Sequence, residues 1–361
     1  MPESNHIKLF SPGPVEVSPE TFAAMTHPMI GHRGAEFQAL YADVHPRLQT
    51  MFGTTQPVFL STSSAWGVME GALRNLVDGG KVLCCACGAF SDKWIDVAKR
   101  SGKQVVPLQV EWGQPIDPDA VRTALQVGGF DAVTLVHNET STGVLNPLAE
   151  IAAVVREFEE VLLIADTVSS FSVLPTPTDE LGIDVLLTGS QKALALPPGL
   201  ALFTASERAF RRAETVSDRG YYFDFLEFKK NQAKDMTPST PCISLIYALR
   251  SKLDQIFTEG LERRYERHAR LNRLVHQWVT RSGFQFFAPE AFRSLSLTCI
   301  KNNREIDVPL LISNLRERHR MTIDGGYGKI KGKTFRISNM GDETEETVTA
   351  LLAALDDSMP A

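Results

Sequence analysis

Residues 184–205 read DVLLTGSQKALALPPGLALFTA, and this stretch decides the fold. It holds two apolar, β-rich runs, at 184–189 and 199–205, joined by a short loop that carries Lys192 and a Pro-Pro-Gly turn. Runs that are apolar at successive positions indicate strands buried on both faces of a sheet. The stretch therefore predicts two strands inside a covered sheet, with a lysine where the first strand ends.

Earlier in the chain, further apolar runs alternate with longer segments that have helical periodicity. These runs are PVFLS at 57–61, KVLCCA at 81–86, KQVVPLQV at 103–110, DAVTLVH at 131–137 and VLLIAD at 161–166. The alternation predicts an α/β fold with a mostly parallel sheet of about seven strands, covered by helices on both faces. Ligands of such sheets bind beyond the carboxyl ends of the strands, so the polar residues that follow each run are the first site candidates.

The pattern changes after residue 243. A long helical stretch begins there, with apolar residues at three- and four-residue spacing, and strands are predicted near residues 295–300 and 334–338. We therefore predict three parts. They are an N-terminal arm at 1–20, a large domain at 21–243 and a smaller α+β domain at 244–361.

Composition and charge narrow the class of protein. The 361 residues are 43% hydrophobic with a net charge of −6 and no dense Lys/Arg stretch, so we expect no nucleic-acid partner. Neither a signal-like start nor an apolar run of 18 residues occurs in the sequence, which predicts a cytoplasmic protein without a membrane partner. Cys84, Cys85 and Cys87 lie in one apolar run, which favours buried strand cysteines over a metal site.

Two strand-end residues suggest covalent chemistry. Lys192 is the candidate nucleophile, because a desolvated lysine loses its ammonium form more readily, as imine formation with an aldehyde requires. The alternative is an exposed surface lysine. Asp166 ends the run VLLIAD, where a carboxylate needs a cationic partner such as a protonated pyridine nitrogen. The alternative for Asp166 is the N-cap of a following helix.

Other segments could complete a pocket. STSSAWGVMEGAL at 61–73 predicts a small-residue turn and a helix that begins near Trp66, where backbone N–H groups could bind phosphate or simply be capped. Phe90 could stack on a flat ring or lie in the core. HNETSTG at 137–143 offers hydroxyls and a carboxylate. Arg336 could bind a substrate carboxylate or form a buried salt bridge.

Taken together, these segments resemble the class V aminotransferases, in particular the alanine/serine–glyoxylate and serine–pyruvate group, over nearly the whole chain. The matching segments are SPGPVEV at 11–17, GHRGAEF at 31–37, HNETSTG, ADTVSS at 165–170, GSQKALALPPG at 189–199, YYFDF at 221–225, TPSTP at 237–241 and FRISNMGDET at 335–344. The resemblance implies a transferase of fold type I that binds pyridoxal 5'-phosphate and catalyses transamination.

The resemblance also implies a role for each matching residue. Lys192 matches the Schiff-base lysine, which also moves the α-proton, and Asp166 matches the partner of the pyridinium nitrogen. The remaining matches are Phe90 for ring stacking, Thr140 for a hydroxyl near the ring, Ser64, Ala65, Trp66 and Gln191 for the phosphate, Arg336 for the substrate carboxylate, Gly13 for the loop that touches substrate, and Thr240 for a phosphate contact from the second subunit. A homodimer is therefore implied.

Two positions depart from the family pattern. The phosphate turn of the family commonly reads SGT or SGH, whereas this chain has Ser64-Ala65-Trp66. The indole N–H of Trp66 can donate a hydrogen bond but cannot accept one as a hydroxyl does. Thr237 stands where some relatives place a tyrosine from the second subunit.

The substrate prediction is an amino group passed from alanine or serine to glyoxylate or pyruvate. The alternative is phosphoserine with 2-oxoglutarate, for which extra positive charge would come from His32, Arg33, Lys329, Lys331 and Lys333. The KIKGK run at 329–333 could equally be a solvated turn. Less favoured are a lyase or a desulfurase, which would need a mobile cysteine such as Cys242, and an inactive scaffold, which would have lost a cofactor residue.

Overall fold

The structure is a computed structural model that describes residues 6–360. Its strands are β1 (Lys8–Leu9), β2 (Val58–Ser61), β3 (Lys81–Ala86), β4 (Gln104–Gln109), β5 (Phe130–Val136), β6 (Asn138–Glu139), β7 (Val144–Leu145), β8 (Leu162–Asp166), β9 (Val185–Gly189), β10 (Ala201–Ala205), β11 (Gln285–Phe286), β12 (Leu297–Lys301), β13 (Met321–Thr322) and β14 (Thr334–Ser338). Its helices are α1 (Pro19–Ala24), α2 (Ala35–Phe52), α3 (Ala65–Leu76), α4 (Ala89–Arg100), α5 (Pro118–Leu125), α6 (Leu148–Val155), α7 (Thr178–Leu181), α8 (Glu207–Thr215), α9 (Phe225–Gln232), α10 (Ile243–Glu259), α11 (Leu261–Arg281), α12 (Val308–His319) and α13 (Glu345–Ser358).

A seven-stranded sheet forms the centre of the molecule, in the order β2-β10-β9-β8-β5-β3-β4. Strands β4, β3, β5, β8 and β9 are parallel to their neighbours in this series, while β10 is antiparallel to both β9 and β2. The predicted α/β fold with a mostly parallel sheet is confirmed. The carboxyl ends of β2, β3, β5, β8 and β9 consequently lie at one edge of the sheet.

Both faces of the sheet are covered by helices, because successive residues of each strand point to opposite sides. In β8, Leu163 and Ala165 belong to one hydrophobic cluster, while Leu162 and Ile164 belong to the other. The first cluster includes residues of α2, α5, α6 and α10, and the second includes residues of α3, α4, α8 and α9. The sheet is thus the middle layer of three.

The apolar sequence of β4 predicted a strand that is buried on both faces, but the strand is not buried in this way. Its residues are half-buried or exposed because it is the edge strand and pairs only with β3. Pro107, which has no N–H to donate, is compatible with such an edge.

The cysteines of the third strand are buried, as predicted. Cys84 and Cys85 lie in β3 and point to opposite faces of the sheet, and Cys87 follows the end of this strand. All three are free thiols, and each is at most 1% exposed. Among residues 6–360, no group of three or more His, Cys, Asp or Glu side chains is arranged to hold a metal ion.

The long helical stretch after residue 243 is two helices instead of one. Gly260 separates α10 from α11, and its φ of +85° lies in a region that L side chains rarely adopt. Helix α10 packs on α1 and α2, so its apolar residues belong to the core of the large part. The division at residue 243 stays a prediction, and this packing favours a boundary near Gly260.

The C-terminal part has its own antiparallel sheet, β11-β12-β14, packed against helices α11, α12 and α13 around a separate hydrophobic cluster. Strands β12 and β14 confirm the two strands predicted there. Within the part of the chain that the structure describes, no helix combines the length and apolar character needed to cross a membrane.

Candidate active site

A cavity of about 270 Å³ lies at the carboxyl edge of the central sheet. Strand ends and the turns after them supply most of its walls, as expected for a parallel sheet. The structure brings these predicted site residues together in the lining: Gly13, Ser64, Ala65, Trp66, Phe90, Thr140, Asp166, Gln191 and Lys192. Tyr327, which the sequence reasoning did not single out, completes the wall from the C-terminal part.

Lys192 is buried in the loop between β9 and β10, with 7% of its surface exposed. The N–H of Ser190 donates to the carbonyl of Leu200 at 2.9 Å, so the loop is closed by the two flanking strands. Burial and, to a smaller extent, the nearby Arg336 guanidinium lower the pKa of Lys192 to about 8, although Asp166 opposes the shift. The alternative of an exposed surface lysine is therefore wrong.

Gly13 brings the N-terminal segment against this lysine. The Lys192 ammonium donates to the carbonyl of Pro12. A Cβ at position 13 would stand 2.5 Å from the lysine Nζ, and φ at Gly13 is +127°. Only glycine permits this close approach, so the predicted contact of this loop with the site has a steric basis.

Asp166 is the last residue of β8 and is 6% exposed. Its Oδ2 accepts from the indole Nε1 of Trp94 at 3.2 Å, and its Oδ1 accepts from the N–H of Val168 at 3.0 Å. Burial nevertheless raises the pKa of Asp166 to about 6. The residues after Asp166 form turns instead of a helix, so the N-cap interpretation is wrong and a cationic partner in the cavity would stabilise the carboxylate.

The start of α3 forms another wall of the cavity. The helix begins at Ala65, one residue before the predicted start, and the Ser64 side chain makes no capping hydrogen bond. The first N–H groups of a helix have no partner inside the helix, and the helix dipole favours an anion there. The Ser64-Ala65-Trp66 turn can therefore bind phosphate through its backbone N–H groups, with Gln191 in the same lining.

Phe90 is held at the start of α4 by a buried carboxylate. Glu139, fully buried, accepts from the N–H of Phe90 at 3.3 Å and from the N–H of Ser91 at 2.8 Å. It also accepts from the hydroxyl of Ser141 at 2.6 Å. The sequence had offered this carboxylate in HNETSTG without a role. The structure shows that it anchors the helix start and so places the Phe90 ring, whose centroid is 5.9 Å from the Lys192 Nζ.

Arg336 lies in β14, is 3% exposed and forms an ion pair with the partly exposed Asp324, just outside the residues that line the cavity. Its Nε and Nη2 contact the same oxygen of Asp324, at 2.8 and 2.7 Å, and its Nη1 donates to the carbonyl of Thr140 at 2.8 Å. The salt-bridge reading is confirmed. A guanidinium has five N–H groups and these contacts use three, so a carboxylate clamp stays a compatible prediction.

Other predicted site residues lie outside the cavity lining of this chain. Arg33 donates to the carbonyls of Thr237 and Pro238, each at 3.0 Å, and the Thr240 hydroxyl is 3.4 Å from the His32 ring nitrogen. These residues form one unit, which joins the GHRG and TPSTP segments.

The remaining residues of the alternative functions do not converge on the cavity either. The ammonium of Lys329 lies over the Trp112 ring, 4.2 Å from its centroid, and Lys331 lines a different cavity. Cys242 is the N-cap residue of α10, which is a fixed position instead of a mobile loop. The geometry thus gives no support to a desulfurase.

Comparison with known proteins shows the family of the chain. The sequence model of the family "Aminotransferase class-V" matches residues 18–351. The chain belongs to this family. This aminotransferase is 38% identical to an uncharacterized aminotransferase of Methanocaldococcus jannaschii over 96% of this chain and 91% of that protein. It is 35% identical to the serine–glyoxylate aminotransferase of Methylorubrum extorquens over 99% of this chain and 92% of that protein.

A solved structure agrees with the assignment. The alanine–glyoxylate aminotransferase from Nostoc sp. is 30% identical, with a TM-score of 0.93 over 99% of this chain and 97% of that one. The class V aminotransferase described here has fold type I and uses pyridoxal phosphate. The cavity fits that cofactor: it offers a buried lysine, a buried carboxylate at the end of the neighbouring strand, and a helix start open to an anion.

Proposed function

We propose that this aminotransferase passes an amino group from alanine or serine to glyoxylate or pyruvate. The observation that carries the proposal is the lining of the cavity. Among the described residues, Lys192 is the one cationic side chain in that lining, so the cavity offers no second cation for an acidic side chain such as that of phosphoserine. Relatives named serine–glyoxylate and alanine–glyoxylate aminotransferase support the same choice.

The proposal gives Lys192 the proton-transfer step. When bound, the cofactor withdraws electrons from the substrate's Cα and so makes its proton acidic. With a pKa near 8, a substantial fraction of Lys192 is neutral at physiological pH, so its Nζ can attack a carbonyl carbon and, once released, take the Cα proton. Asp166 would hold a proton on the ring nitrogen, because an ionised buried carboxylate gains most from a cation beside it.

Arg336 would orient the substrate. Asp324 and the carbonyl of Thr140 fix the guanidinium plane, and the N–H groups that these contacts leave over can donate to an α-carboxylate. Such a fixed clamp aligns the Cα–H bond with the lysine amine. Phe90 would stack on the cofactor ring, and Thr140 would donate or accept beside it.

We also propose that the active unit is a homodimer in the cytoplasm. Thr240, His32 and Arg33 form a unit outside their own cavity, as expected if they complete the site of a second subunit. Large apolar side chains near that unit and on the YYFDF segment are exposed in the single chain, with Met29 at 70% and Tyr221 at 94%. Light scattering of the purified protein would report a monomer if this part is wrong.

The absorbance spectrum of the purified holoenzyme tests the function directly. Titration with alanine, serine and phosphoserine under single half-reaction conditions should shift the cofactor band with alanine or serine. A shift with phosphoserine alone would overturn the substrate assignment. The converse half-reaction, with the aminated cofactor and glyoxylate or pyruvate, should restore the original band.

A further inference from the structure

One aromatic residue of the C-terminal part lies between two groups of the proposed site. The Tyr327 ring is stacked on the Phe90 ring, with centroids 5.2 Å apart and planes at 16°. The Arg336 guanidinium carbon is 5.6 Å from the centroid of the same ring. A molecule that extends from the cofactor ring to Arg336 therefore passes along Tyr327.

The loop that carries Tyr327 is pinned on both sides of it. The N–H of Gly326 donates to the Asp324 carboxylate at 2.8 Å, and a Cβ on Gly326 would stand 2.7 Å from the Thr334 carbonyl oxygen. A Cβ on Gly328 would stand 2.9 Å from the Trp112 ring. Because both glycines are packed this closely at positive φ, the loop holds the ring in place.

Tyr327, which is 43% exposed, also borders two cavities. Among the described residues, it is the one that lines both the site cavity of about 270 Å³ and a neighbouring cavity of about 600 Å³. The neighbouring cavity has apolar walls from Val308, Pro309 and Ile312. We expect loss of the ring to open the site cavity toward the neighbouring one, where an apolar substrate side chain could extend.

The ring does this without competing for the substrate's carboxylate. It faces the guanidinium carbon of Arg336, so the in-plane N–H groups remain available to an anion. A rigid wall beside the carboxylate site restricts the side chain, which also leaves from the substrate's Cα. We propose that Tyr327 is a specificity-determining residue, whose ring closes the substrate side of the cavity and excludes long apolar side chains. This inference rests on the proposed function, because it assumes a carboxylate held by Arg336.

The test compares small and large donors. For Tyr327→Ala, the ratio of kcat/KM for alanine to kcat/KM for leucine should fall by about 10- to 100-fold, since a single methylene in a hydrophobic pocket changes selectivity by about 10- to 200-fold. Tyr327→Phe keeps the ring and should leave the ratio within about twofold of the wild type. Tyr327→Trp should raise it. An unchanged ratio in Tyr327→Ala, with equal losses for both donors, would overturn the proposal.

A binding measurement separates this inference from the function itself. Inhibition or calorimetric titration of the holoenzyme with acetate and hexanoate, which cannot react, should show hexanoate binding gained in Tyr327→Ala and acetate binding kept. If no amino acid shifts the cofactor band of the wild type, the proposed function fails, while this titration still decides the role of Tyr327. Equal hexanoate binding by Tyr327→Ala and the wild type would refute the proposal that the Tyr327 ring excludes long apolar side chains.

Discussion

The two halves of the site are built differently. The residues expected to bind the cofactor lie at strand ends of the central sheet, and we call them the cofactor half. Asp166 is the last residue of β8, and Lys192 follows β9. The residues expected to contact the substrate lie in the C-terminal part, and we call them the substrate half. Arg336 lies in the antiparallel strand β14, and Tyr327 lies in the glycine-rich loop before it. Backbone pairing fixes β8 and β9 in the first half and the strand of Arg336 in the second. Tyr327 differs from these residues, because its loop is positioned by the packing of Gly326 and Gly328.

This difference suggests a division of labour. Changes in the cofactor half should alter cofactor attachment and turnover with every substrate. Changes in the substrate half should alter which acids bind and how tightly, while the cofactor stays in place. A mutation in one half that changes both cofactor attachment and substrate selectivity would contradict this division. A mutation that changes one of these properties and leaves the other intact would support it.

The largest effect is expected for Lys192→Ala. Loss of both the nucleophile and the base should lower kcat by more than about 10⁴-fold with every donor. Borohydride reduction followed by mass spectrometry should find no covalent cofactor adduct on the variant. Lys252 is a matched control, because it is fully buried but bonded to Asp342 away from the cavity, so Lys252→Met should keep the adduct.

Asp166→Asn should reduce kcat by about 10²- to 10³-fold, since a preorganised charge beside the reacting group is lost. The loss should be similar for alanine and serine, and the cofactor spectrum should change. Asp184 provides the control: it is buried, its pKa is also raised by burial, and it lies at the opposite end of β9. Asp184→Asn should affect the free energy of unfolding but leave the spectrum unchanged; equal spectral changes would argue against the role of Asp166.

Arg336→Lys should raise KM for the amino donor by about 10- to 100-fold, because a lysine cannot replace the planar donor set. The cofactor band and the borohydride adduct should persist. Steady-state kinetics with alanine and cofactor titration of the same preparation would check both. Loss of the cofactor in this variant would show that the two halves are not separable.

The last expected effect is on stability instead of activity, and it is a pH dependence in the cofactor-free protein. The pKa of Lys192 is about 8 in the folded chain and 10.5 as its ordinary value, so between these pH values the unfolded chain binds more protons. Stability due to this residue therefore rises with pH across that window. Urea unfolding should show Lys192→Met more stable than the wild type by about 3 kcal/mol near neutral pH. The gap should close as the pH approaches 10.5; a constant gap would contradict the shifted pKa.

The cofactor half could be predicted from sequence for a physical reason. A strand buried on both faces needs an unbroken apolar run, so the first polar residue after it, such as Asp166, marks the sheet edge. In the substrate half, the strand of Arg336 could be predicted in the same way, but Tyr327 gives no comparable signal. Tyr327 lies in a loop whose path depends on contacts of Gly326 and Gly328 with distant residues, and the ion pair of Arg336 with Asp324 joins positions twelve residues apart. The sequence pattern also predicted α10 and α11 as one helical stretch, because the amphipathic periodicity continues across Gly260.

The buried thiols of β3 can report on opening of the central sheet. Cys84 and Cys87 have pKa values raised to about 11 and 12 by burial, so a native molecule presents neither access nor thiolate to an alkylating reagent. Their labelling rate consequently measures how often β3 separates from its covering helices. Because β3 pairs between β5 and β4, that rate reports on the same sheet that holds the cofactor residues.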